Sequence, residues 1–138
     1  MIPRYRAWIK TENCFADYIE SIRFYINEID LCWGGICESD CFDFKDVILM
    51  QSTGLKDKNG KEIFEGDIVK TTRFFGRADE VGGFYEYDKE IIGVVKQLEG
   101  AWVIDTGSDA VYLWTEIEEN EVIGNVYEQP EYLKKKGN

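Results

Sequence analysis

The chain has 138 residues, 44% of them hydrophobic and 14% aromatic, and a net charge of −11 from 27 acidic and 16 basic groups. That length allows one domain, or two very small ones, with enough apolar material for a core. Histidine is absent, which removes the usual general base, the usual partner of a nucleophilic Ser or Cys, and the commonest metal ligand.

Arg4 to Lys10 (RYRAWIK) alternates loosely and reads as a short strand that ends at the turn Thr11-Glu12-Asn13. The next segment supports two readings. Phe15, Tyr18, Ile19, Ile22, Tyr25, Ile26 and Ile29 follow helical spacing, yet Ile22, Phe24 and Ile26 alternate in a run rich in strand-forming residues. The pattern by itself leans to helix. Gly34-Gly35 is a turn, and Cys41 to Met50 is a strand with a polar break at Lys45-Asp46.

QSTGLKDKNGKEIFEGDIV, residues 51 to 69, packs two turns into a short stretch. Asn59-Gly60 suits a type I′ hairpin, whose two central residues both take positive φ. Gly66-Asp67 launches a second strand at Ile68-Val69-Lys70, patterned as a half-buried edge. Thr71 to Glu90 is a long loop or a protruding hairpin with Gly82-Gly83 at its tip. Strands follow at Ile91–Gln97, Ala101–Thr106 and Ala110–Thr115, then a connector, then Glu121–Glu128 with Gly124 marking a bulge. Short strands at such spacing indicate a small barrel or sandwich, and their number matches the size of an SH3-like barrel.

Several motifs invite a chemical reading. GLKDKNGKE has five residues between Gly54 and Gly60 and a Glu after Lys61, so it fails as a phosphate-binding loop. Cys32, Cys37 and Cys41 lack the spacing of a zinc knuckle, and with Cys14 they are expected to act as small buried hydrophobes. Glu116, Glu118, Glu119 and Glu121 read as solvated acids. Trp8, Trp33, Trp102 and Trp114 read as core or core-edge residues, each needing a partner for its indole N–H. No catalytic residue, metal ligand or cofactor is expected.

The charge is uneven. Residues 79 to 131 carry 14 acidic groups against Lys89 and Lys96, a balance of −12. A field of that sign repels phosphate backbones, so nucleic acid is a disfavoured partner there. Two other expectations concern charge: an acidic, DNA-mimicking inhibitor of a host DNA-binding protein, and nucleic-acid binding through Arg4, Arg6, Lys10 and Arg23 in the N-terminal half. Phe74, Phe75, Phe84, Tyr85 and Tyr87 form the candidate protein-interaction patch, for a partner protein or a second copy. No apolar run is long enough to cross a bilayer, and MIPRYRAWIKTEN lacks the apolar core of a secretory signal.

MIPRYRAWIKTENCF, VILMQSTGLKDKNGKEIFEGDIV, the GVV at 93 to 95 and EVIGNVYEQPEYL, in that order, resemble the YopX family of phage and prophage proteins. The resemblance implies a mainly β protein with an SH3-type barrel, encoded by phages or prophages of Gram-positive bacteria. It tilts residues 14 to 31 from helix to strand. It implies no established activity, so it carries over no catalytic residue. The expectation is therefore an all-β or β-dominated α+β chain. An N-terminal β region (1–50) would pack on an SH3-like barrel (51–138). It would be a non-enzymatic interaction module in the cytoplasm of a bacterial host.

Overall fold

The computed structural model describes residues 4–35, 38–78, 82–113 and 119–134. The protein is all-β, in two compact units, Met1–Gly54 and Leu55–Asn138. Trp114, Thr115, Glu116, Ile117 and Glu118 lie outside the described residues, as do Cys37, Asp79 and Glu80.

In the first unit, β1 (Tyr5–Ile9) pairs antiparallel with β2 (Cys14–Phe15) and with β6 (Val47–Lys56). A second sheet is formed by β3 (Tyr18–Arg23), β4 (Glu28–Cys32) and β5 (Ser39–Asp43), in that order. A single 3-10 turn, Phe44–Asp46, occupies the polar break before β6. The core is Ala7, Ile9, Ile29, Leu31 and Val47, with Ile19, Ile22, Phe42 and Leu49 packed against it. Strand β4 shows the period of two: Ile29 and Leu31 are fully buried, and Glu28 and Asp30 occupy the alternate positions.

The helix-like spacing of residues 15 to 29 has a physical source. A bulge lies between Ile19 and Ser21 in the β3–β4 ladder. The extra residue resets the alternation, so Ile19 and Ile22, three apart, both pack on the core. A bulged strand thus imitates the i, i+3 signature of a helix.

In the second unit, β7 (Glu62–Phe64) precedes β8 (Asp67–Ala78), β9 (Phe84–Leu98), β10 (Ala101–Asp105), β11 (Ala110–Tyr112) and β12 (Asn120–Asn125). The last five form an antiparallel sheet of order β11-β10-β9-β8-β12, curled into an SH3-like half-barrel. Its core is Ile63, Val69, Ile91, Val95, Ile104 and Leu113, with Trp102 packed against it. A four-residue helix, Glu131–Lys134, follows Pro130. The bulge predicted at Gly124 is present, between Val122 and Gly124.

Four readings are corrected by the coordinates. The Asn59-Gly60 turn is not type I′, because only Gly60 takes positive φ, at 84°. Gly60 N–H bonds to the Asp57 carbonyl, and the Asp57 Oδ1 accepts the N–H groups of Asn59 and Lys61, both at 2.9 Å. That carboxylate holds Lys58 and Asn59 in an ordinary turn and leaves a single left-handed residue for glycine. Strand β8 is not an edge: it lies between β9 and β12, and Ile68 and Val69 are both fully buried. The strand expected over Ala110–Thr115 ends at Tyr112 within the described residues. Cys32 is buried, but Cys41 is exposed, where Glu28 and Arg23 lie within hydrogen-bond reach of its sulfur.

Candidate interaction surface

Two features stand out on the surface, one in each unit. The first is the tip of the β3–β4 hairpin. Arg23 and Glu28 close the ladder, and Phe24, Tyr25, Ile26 and Asn27 form the loop, with Asn27 at φ 56°. Such positions usually hold Gly, Asn, Asp, Ser or Pro, which supply turn geometry at low cost. Here three successive apolar residues have relative exposures of 72%, 81% and 46%. Phe24 is braced edge-on against Phe44, with ring centroids 5.9 Å apart.

A polar network fixes the base of that hairpin. Arg23 donates to both carboxylate oxygens of Asp30 and to Glu28, and Ser21 Oγ donates to Asp30 at 2.6 Å. The Arg23 guanidinium, then the Ser21 hydroxyl, hold the Asp30 carboxyl down at about 2, against the upward push of burial. The bidentate geometry sets the strand ends in register, so the loop is presented on a rigid stem. Nearby, Trp33 Nε1 donates to Asp40 at 2.8 Å, which supplies the partner its indole needs.

The second feature is the β8–β9 hairpin, which takes up the stretch read as a loop or hairpin. Strand β12 pairs with β8 from Asp67 to Thr71, and β10 pairs with β9 from Val94 to Leu98. Beyond these, Thr72–Ala78 and Phe84–Glu90 continue as a ribbon of seven cross-strand pairs with no third strand among the described residues. The five aromatics of the candidate patch all fall in this ribbon: the register sets Phe75 opposite Tyr87, Tyr85 opposite Arg77, Phe74 opposite Asp88 and Phe84 opposite Ala78.

The remaining sequence candidates fall in separate places. Arg6 lies over the Phe15 ring at 4.7 Å, Lys10 Nζ donates to the Lys45 carbonyl at 2.8 Å, and Arg23 is committed to Asp30 on a different sheet. Arg23 thus lies on the β3-β4-β5 sheet and Arg6 on the β2-β1-β6 side. Glu121 pairs with Lys58 at 3.8 Å and Lys70 at 4.0 Å. No group of three Cys, Asp or Glu residues able to hold a metal occurs among the described residues. No helix among them is long and apolar enough to cross a membrane. Composition and spacing did not reveal the hairpin tip, because its apolar residues merged with the strand pattern on either side.

These features define a class: a small all-β chain built around an SH3-like half-barrel, with its distinctive residues on projecting hairpins. The sequence profile of the YopX protein family matches residues 4–134, and the chain belongs to that family. Among solved structures it is similar to protein EF1440 from Enterococcus faecalis, at 25% identity and a TM-score of 0.55, covering 96% of this chain and 99% of that one. It is also similar in fold to protein yopX from Bacillus subtilis, at 22% identity and a TM-score of 0.56, covering 92% and 94%. None of the curated proteins matches it.

Proposed function

We propose that this chain is a phage-type, non-enzymatic module that works by protein contact in the bacterial cytoplasm. The observation that carries the reading is the exposed Phe24-Tyr25-Ile26 tip on its braced stem. Large apolar residues raised on a rigid hairpin suit insertion into a pocket, where a few such anchors supply most of the binding energy. The partner is a protein with a basic rim. Residues 18 to 43 carry six acidic groups and only Arg23, a balance that opposes an anionic lipid surface or a nucleic acid.

The test is a photo-crosslinking amino acid placed at Tyr25 in the full chain, expressed in a bacterial host. A discrete protein adduct is expected there and not at Leu98, which is comparably apolar and 53% exposed. Adducts absent at position 25, or equal at both positions, would remove the reading.

A further inference from the structure

The turn over residues 57 to 61 contains the chain's one Asn-Gly step, Asn59-Gly60. At such a step the backbone nitrogen that follows asparagine can attack the side-chain amide carbon, because glycine places no Cβ in the way. The new N–Cγ bond forms, the Cγ–NH2 bond breaks, and ammonia carries away the proton displaced from the backbone nitrogen. The cyclic imide then takes up water and opens to aspartate or isoaspartate.

Crowding does not oppose this reaction at Asn59. Asn59 and Gly60 are both exposed, and nothing lies within 4 Å of the position a Gly60 Cβ would take. Hydrogen bonds do oppose it. The nucleophile is the Gly60 nitrogen, and its N–H donates to the Asp57 carbonyl at 2.9 Å. The N–H groups on either side, of Asn59 and Lys61, donate to Asp57 Oδ1 at 2.9 Å each. The ends of the turn are anchored as well: Asp57 N–H donates to the Lys61 carbonyl at 2.8 Å, and Lys58 N–H to the Asn120 carbonyl at 2.9 Å. Attack requires the Gly60 nitrogen to lose its proton and its bond to Asp57, and the peptide to rotate against the bonds beside it.

From this geometry we propose that Asn59 is a latent modification site, guarded by Asp57, whose conversion to isoaspartate follows opening of the turn and prevents its closing. Isoaspartate routes the main chain through the former side chain. It adds one carbon between the Cα of residue 59 and the Gly60 nitrogen, and it leaves a carboxylate on that Cα. The Gly60 and Lys61 N–H groups then lose their register with Asp57, and two carboxylates repel each other across one turn. Asp57 Oδ2 accepts the Val122 N–H at 3.0 Å, so loss of the turn also frees its tie to β12. The step consumes only water, and refolding does not undo it.

The test is incubation of the full chain in mildly alkaline buffer, with peptide mapping that separates asparagine, aspartate and isoaspartate at position 59. Folded wild type is expected to convert at least about tenfold more slowly than the same chain unfolded in urea, because only the opened turn reacts. Asp57→Ser, which offers one acceptor oxygen in place of two, converts at an intermediate rate, and Asp57→Ala approaches the unfolded rate. Asn27, exposed but followed by Glu28, is the internal reference and stays slow in every sample. If Asp57→Ala loses its β-sheet circular dichroism spectrum, Asp57→Ser and wild type in urea below its unfolding midpoint carry the same test. In converted wild type the Val122 amide exchanges faster with solvent than in fresh protein, whereas Asn59→Ser aged in parallel keeps slow exchange. Three results would each overturn the inference: folded wild type converting as fast as the unfolded chain, Asp57 variants converting no faster than wild type, or conversion that leaves Val122 exchange unchanged.

Discussion

Gly93 shows how a single residue is dictated by its surroundings. It pairs with Val69 at the centre of the half-barrel, and a Cβ there would lie 2.5 Å from the Asp105 carbonyl oxygen and 2.8 Å from Ile104 Cγ2. Backbone cannot yield as a flexible side chain can. Gly93→Ala is therefore expected to cost about 1–3 kcal/mol, seen as a lower Tm. Gly60→Ala provides the contrast: nothing lies within 4 Å of its Cβ position, and only its φ of +84° resists substitution, at about 1–2 kcal/mol. Asp57 is the other residue of this kind. It is 7% exposed, and its carboxylate accepts the N–H groups of Asn59, Lys61 and, at 3.0 Å, Val122. Burial pushes its carboxyl up, but those three donors and nearby Lys61 outweigh it and hold the group below the usual carboxylate range. Asp57→Ala leaves three donors without their acceptor and is expected to cost about 2–4 kcal/mol in denaturant unfolding. The dense turn signals of residues 51 to 69 are thus geometry: they tie the turn to β12, 65 residues further along.

At the scale of elements, the β3–β4 hairpin separates fold from function. Arg23 and Asp30 hold its stem, and the folded-state value of Asp30, about 2, lies below the ~3.9 of an unfolded aspartate. The pairing therefore stabilises the fold above about pH 4 and is lost as pH falls through about 2. Thermal melts followed down to that range should lose stability, and Asp30→Asn should flatten the dependence. A dependence unchanged by Asp30→Asn would show that the stem is held otherwise. The loop behaves differently. Tyr25 is 81% exposed, so Tyr25→Ser should leave the stability within about 0.5 kcal/mol of wild type in denaturant unfolding. The same change should weaken partner capture, measured with the crosslinker moved to Ile26.

The elements also show what the sequence could and could not disclose. Pattern and turn signals gave β1, β10 and, over Ile91–Gln97, the C-terminal part of β9 directly, whereas β4 reads as strand only through the family resemblance. The β3 bulge misled the periodicity, since an inserted residue turns a spacing of two into three. The sequence left Thr71 to Glu90 open between a loop and a hairpin, and the register settles it as a hairpin, with Thr72–Ala78 paired to Phe84–Glu90.

At the scale of the whole molecule, the described residues of each unit include a core of their own, around Ile9, Ile29 and Leu31 in the first and around Val69, Val95 and Ile104 in the second. In this account the exposed β3–β4 tip carries the protein contact. The most direct test is capture from a bacterial lysate by the immobilised full chain, wild type against Tyr25→Ser. The account predicts a discrete protein that the wild type retains and the Tyr25→Ser variant loses. Equal retention by both would contradict it.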